Sequence, residues 1–292
     1  MRWEGERESS NVEDDRGGGG GGGFGFGGRS IGIGTIVIAL VGGAIFGINP
    51  LTLLSMLSGG GGPAPVQQQA PRPQNPATED RDSKFVRVVL ANTEDVWTQV
   101  FSRGGATYQP PHLVMYTGSI RTGCGAGQAA MGPFYCPADS KVYIDLGFYR
   151  TLRDQLGAPG EFAQAYVIAH EVGHHVQHLL GITDKVDQAR GRASQAQANA
   201  LSVRVELQAD CFAGVWAHYS EQSKHWLDPG DIESALNAAQ KIGDDTLQRS
   251  AGRAVVPESF THGSSAQRQR WFTTGWQTGS VKACDTFSAS SL

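Results

Sequence analysis

Apolar positions recur at two different spacings from Ser83 onward, and each spacing predicts an element. Phe85, Val88, Val89, Val96 and Val100 form an intermittent helical face that Gly104 and Gly105 end, which predicts a first helix. HLVMYTG at 112–118 predicts a strand, and a glycine-rich loop follows over 118–133. KVYIDL at 141–146 predicts a second short strand that leads into a helix near 148–156. Helical patterns dominate the remainder, over 161–180, 187–220 and 231–244. Strands are few beside helices. The expected class is therefore α+β, a mainly helical domain with a small β-sheet and not a doubly wound one.

Upstream of Ser83 the alternation disappears. Residues 1–30 mix charges and then run into glycine, a composition with little to bury and a high backbone entropy, which predicts a disordered tail. IGIGTIVIALVGGAIFGI at 31–48 carries no charge, and the uncharged run continues, so the roughly 20 apolar residues of a spanning helix are available. The expectation is one transmembrane helix within 31–57, with the lipid bilayer as its partner. Its charged flank favours a single pass with the N-terminus inside. Residues 58–82, rich in Gly, Pro and Gln, predict a linker. That leaves 83–292 for one domain of ordinary size.

Charge and cysteine content narrow the function classes. With 24 basic and 28 acidic residues the formal net charge is −4, and no concentrated basic footprint appears, so no nucleic-acid partner is expected. The four cysteines are enough for two bridges. Cys124 and Cys136 enclose a short glycine-rich loop, and Cys211 could tie the C-terminal tail through Cys284 or remain a buried thiol. Two disulfides suit an exported domain, outside the cytoplasmic membrane.

The chemistry centres on His170-Glu171-Val172-Gly173-His174. On a helix two histidines four residues apart rise about 6 Å along one face and can offer imidazole nitrogens to one metal ion. Glu171 projects at a neighbouring angle, suited to take a proton from a metal-bound water without being a ligand. A catalytic zinc site needs a third protein ligand and an open position. Glu206 in VRVELQADCFAGVWA is the best downstream candidate, and Asp210, one turn later, can accept a hydrogen bond from a ligand histidine. The stretch between them allows a helix, a turn around 190–194 and a return helix. His175 faces about 100° away from His174, and His178 lies a turn further on, so both are expected in the core or beside substrate. Glu161 suits the first turn of its helix, where negative charge is favoured.

Four stretches carry a resemblance: CGAGQAAMGPFYCPADSKVYIDLGFY at 124–149, AYVIAHEVGHHVQHLLG at 165–181, VRVELQADCFAGVWAH at 203–218 and THGSSAQRQRWFTTGW at 261–276. In this order they resemble the bacterial neutral zinc metallopeptidase family of the YpfJ type, over nearly the whole chain. The resemblance implies a zincin-like domain behind a membrane anchor. Its HExxH followed by ExxxD is similar to the gluzincin arrangement, which implies His170, His174 and Glu206 as ligands of one catalytic Zn2+, Glu171 as catalytic base and Asp210 behind them. The late motif adds His262, whose chemistry suits oxyanion stabilisation. It also adds Arg268, which could hold the acidic helix through Asp210 or form a structural salt bridge. KVYIDL could offer a strand edge to an extended peptide or be an internal strand.

The expected protein is thus a zinc metalloendopeptidase of the cell membrane, acting on a peptide or protein substrate from an extracytoplasmic domain. A non-catalytic, membrane-anchored zinc-binding interaction or assembly protein is the alternative.

Overall fold

The computed structural model describes residues 1–16, 76–128 and 132–292. Helix α1 (Pro76–Arg103) is followed by β2 (His112–Tyr116), β3 (Ser119–Thr122), β4 (Gly125–Gln128), β5 (Phe134–Cys136) and β6 (Lys141–Asp145). Then come α2 (Gly147–Asp154), α3 (Glu161–Leu179), α4 (Ile182–Arg190), α5 (Gln195–Lys224), α6 (Asp231–Lys241), α7 (Asp244–Ser250) and α8 (Ser265–Thr278). A short strand, β1 (Val12–Asp14), precedes them all. The domain is mostly helical with small sheets, as the spacing of apolar positions predicts.

Sheet order is β1-β2-β6-β5, with β1 and β6 parallel to β2 and β5 antiparallel to β6; β3 and β4 form a separate hairpin. KVYIDL is therefore an internal strand, paired with β2 over Lys141–Asp145 and with β5 over Lys141–Tyr143. The glycine-rich loop expected over 118–133 instead contains the β3–β4 hairpin. Both disulfides are present, Cys124 with Cys136 and Cys211 with Cys284, the second joining α5 to the C-terminal tail.

Helix α3 is buried almost all round because α1, α5 and α6 each pack on it. Its contact with α5 is close because Gly173 has no side chain: a Cβ there would stand 3.0 Å from the Ala209 carbonyl oxygen and 3.1 Å from its Cα. Helices α5 and α8 approach in the same way at Gly214 and Gly275, where a Cβ on either would enter the other helix's backbone. Ser194 and Ser264 start α5 and α8 with capping boxes, each accepting from the N–H of the Gln three residues on. Close crossings and sharp helix starts fix the register between the three helices that carry the site.

Two expectations are overturned at the N-terminus. The first is a tail disordered from residue 1. Strand β1 pairs with β2, Trp3 is 2% exposed with its ring 5.3 Å from Phe85, and the Met1 ammonium lies 3.1 Å from both Asp228 and Asp231. Composition missed this because a few anchors, not a hydrophobic run, hold residues 1–16 down. The linker expected over 58–82 also ends early, since α1 begins at Pro76.

The second is the membrane anchor. The transmembrane helix expected within 31–57 lies outside the described residues, and among the described residues no helix is long and apolar enough to cross a membrane. The pairing of β1 with β2 also conflicts with a single pass. Residues 12–14 and 112–116 share one sheet, so the chain before and after residues 17–75 belongs to one folded unit. One crossing between them would put paired strands on opposite sides of a bilayer. The single-pass topology, the lipid bilayer as partner and the extracytoplasmic placement that depended on them are corrected accordingly.

Candidate metal centre

Helix α3 places His170 and His174 one turn apart on the face that meets α5, and α5 places Glu206 opposite them. The ligand atoms of these three side chains lie within 4.8 Å of one another, a cluster able to hold a metal ion. Glu206 reaches both rings, with Oε2 3.2 Å from His170 Nε2 and Oε1 3.6 Å from His174 Nε2. Each ring is held at its other nitrogen. His170 Nδ1 donates to Asp210 Oδ1 at 2.9 Å, and His174 Nδ1 donates to Gln177 Oε1 at 2.9 Å. Both Nε2 atoms are thereby aimed at Glu206, which is the orientation a ligand histidine needs.

Behind the cluster, Asp210 is fully buried and fully engaged. Arg268 holds it with two hydrogen bonds, Nε to Oδ2 at 2.8 Å and Nη2 to Oδ1 at 2.9 Å, and the Tyr166 hydroxyl donates to Oδ1 at 2.5 Å. Burial alone would raise the Asp210 pKa, but Arg268 and His170 outweigh it and hold it down at about 2. Burial also opposes charge on His170, yet Asp210 and Glu206 lift its pKa to about 10. Glu206 and Asp210 are both held ionised, the Glu206 pKa well below its ordinary value despite burial.

Glu171 is buried at the same cleft, and burial raises its pKa. The cleft has a volume of about 770 Å³. Its walls come from β4 and β5 on one side and from α4 and the start of α5 on the other, with His262 on the rim. His262 is half-buried, and its Nδ1 lies 3.3 Å from Asp244 Oδ1 and 3.0 Å from Thr261 Oγ1. Burial lowers the His262 pKa, and Asp244 and Glu206 more than reverse that.

The structure brings together His170, Glu171, His174, Glu206, Asp210, His262 and Arg268 around one cleft or directly behind it. His175 turns away: its Nε2 donates to the Gln109 carbonyl at 2.7 Å and its Nδ1 accepts from Tyr135, and burial pushes its pKa down to about 4. Glu161 accepts from the Trp3 indole at 2.9 Å and pairs with Arg81, so it serves the N-terminal segment. Three participants were missed by sequence reasoning. Tyr166 and Gln177 stand four residues before His170 and three after His174, a spacing that could have revealed them. Asp244, which accepts from the backbone N–H groups of Thr261, His262 and Gly263, is signalled by nothing in its neighbourhood.

Comparison with known proteins gives the chain its family. The chain is 55% identical over 296 residues to the uncharacterized protein YpfJ of Escherichia coli K12, covering 99% of this chain and 100% of that protein. It is 47% identical over 196 residues to an uncharacterized protein of Mycobacterium tuberculosis H37Rv, covering 63% of this chain and 65% of that one. No solved structure matches the chain. A family model described as "Putative neutral zinc metallopeptidase" matches residues 1–287, which takes in β1 as well as the metal cluster. The chain belongs to that family.

Proposed function

We propose that this protein hydrolyses peptide bonds with the help of one zinc ion held by His170, His174 and Glu206. The observation that carries the reading is a two-histidine, one-carboxylate cluster with Glu171 beside it in an open cleft. Two neutral imidazoles and a carboxylate are the donor set of catalytic zinc sites that keep a position open. A zinc ion there supplies Lewis acidity, which makes water a stronger acid and polarises a carbonyl group.

The chain's own residues do the rest. Glu171 takes a proton from the attacking water as its oxygen bonds to the scissile carbonyl carbon. The same proton passes to the amine nitrogen as the C–N bond breaks, so Glu171 ends as it began. His262 donates from Nε2 to the developing oxyanion, with Asp244 holding Nδ1 on the far side of the ring. Asp210 keeps His170 oriented, and Arg268 keeps Asp210 charged.

Turnover of a quenched fluorescent protein substrate by the full chain loaded with zinc tests the proposal. Activity is expected to vanish with a chelator, to return with zinc, and to fall about 10²–10⁴-fold in Glu171→Gln. Stoichiometric zinc with no turnover of any peptide would leave a non-catalytic zinc-binding protein in its place.

A further inference from the structure

The proposed mechanism uses the floor of the cleft and leaves one wall without a role. That wall is a row on α5. Gln195, Asn199 and Ser202 recur at helical spacing before Glu206, and all line the cleft, so the row leads away from the metal cluster. Gln195 donates to Asn199, and Asn199 donates to the Glu258 carbonyl, so neither amide nitrogen faces substrate undivided.

Arg190, the last residue of α4, lies over this row. Its Nη2 donates to Ser202 Oγ at 2.6 Å, and Ser202 in turn donates to the Ala198 carbonyl. Nη1 stands 3.5 Å from Asp187, and Nε is buried with no hydrogen-bond partner among the described residues. Two arginines line the cleft. Arg268 is buried, with Nε and Nη2 on Asp210 and Nη1 on the Ile242 carbonyl, whereas the Arg190 side chain is 36% exposed. A single serine hydroxyl and one long ion pair do not use up a guanidinium with five donors.

We propose that Arg190 is a specificity determinant, which recognises a carboxylate of the substrate about two residues from the scissile bond. The distance follows for a substrate that runs along α5. Ser202 is one turn before Glu206, about 6 Å along α5, and an extended peptide advances about 3.3 Å per residue. The carboxylate comes from an Asp or Glu side chain or from the end of the substrate chain, and either presents the same planar pair of oxygens to the fork. The inference rests on the peptidase reading.

The experiment uses matched peptides with Glu or Gln at each of three positions on either side of the cleaved bond, as free acids and as amides. The full zinc-loaded chain is assayed for kcat/KM. Binding of the same peptides to zinc-loaded Glu171→Gln is followed by fluorescence anisotropy. A preference for Glu over Gln, or for acid over amide, of about tenfold or more is expected at one or two positions. The position names the source. In Arg190→Met the ratio falls toward one, and in Arg190→Lys part of it survives, with circular dichroism checking the fold of both. Equal handling of carboxylate and amide peptides by the native chain, or a ratio kept in Arg190→Met, overturns the proposal. Absence of turnover, with a binding preference that Arg190→Met abolishes, would sink the peptidase reading and leave the carboxylate site standing.

Discussion

Arg268 grips both carboxylate oxygens of Asp210 across the crossing of α8 and α5, with Arg268 2% exposed and Asp210 wholly buried. Removing one member strands the other as an unpaired buried charge, which costs about 3–5 kcal/mol. Arg268→Ala is expected to lose that much in urea denaturation with chelator present, where metal binding cannot contribute. Arg268→Lys keeps the charge without the fork and should lie between. A loss under about 1 kcal/mol for Arg268→Ala would show that Asp210 is not held as described.

Gly173 sets the spacing of α3 and α5 at the metal cluster. In Gly173→Ala the new Cβ presses on the backbone of Ala209, while better helix propensity returns about 1 kcal/mol. The two effects nearly offset, so stability should change little. Metal affinity should not be spared, because α5 carries Glu206 and Asp210 against the two rings. A fall of about tenfold is expected by competition with a fluorescent zinc chelator. Unchanged affinity would mean that α5 gives way without moving its ligands.

Asp244 and His262 make a pH-dependent pair. The Asp244 pKa is held below its ordinary 3.8, against burial, by His262 and by backbone N–H groups. Its contribution is therefore complete above 3.8 and lost as pH falls through the lower folded value. The His262 pKa is raised above its ordinary 6.5, so its contribution is complete below 6.5 and lost as pH rises through the higher value. The Tm gap between the native chain and Asp244→Asn, measured in chelator, should be widest between about pH 4 and 6.5 and narrow on both sides. A gap independent of pH would remove the ionic part of this account.

The N-terminal segment predicts a loss far from the cleft. Trp3 stands edge-on to Phe85, lies under the Arg81 guanidinium at 5.0 Å and donates to Glu161 in the first turn of α3. Trp3→Ala should cost about 3–5 kcal/mol of unfolding free energy. A change within about 0.5 kcal/mol, the range of a surface substitution, would return residues 1–16 to the status of a tail.

The parts of this protein that were legible in sequence are those with local periodicity. His170, His174 and Gly173 sit on a helix whose spacing declares it, and Glu206 and Asp210 repeat that logic on α5. The hairpin β3–β4 does not show in the sequence because its strands are short and glycine-rich, and glycine leaves no alternation to see. Composition alone predicts disorder at strand β1, because its order comes from partners about a hundred residues away, His112 to Tyr116. The composition of the apolar run at 31–48 predicts an anchor, whereas the constraint on topology comes from pairing on either side of it. Asp244 was invisible for the same reason: its work is done on the backbone of 261–263, and nothing local marks it.

His170, His174 and Glu206 are proposed to hold one zinc ion. Zinc content of the purified full chain, measured by mass spectrometry beside a folded Glu206→Ala variant, tests it most directly. About one zinc per native chain and a marked loss in the variant is the expected result. A correctly folded native chain that retains no zinc after reconstitution would contradict the account.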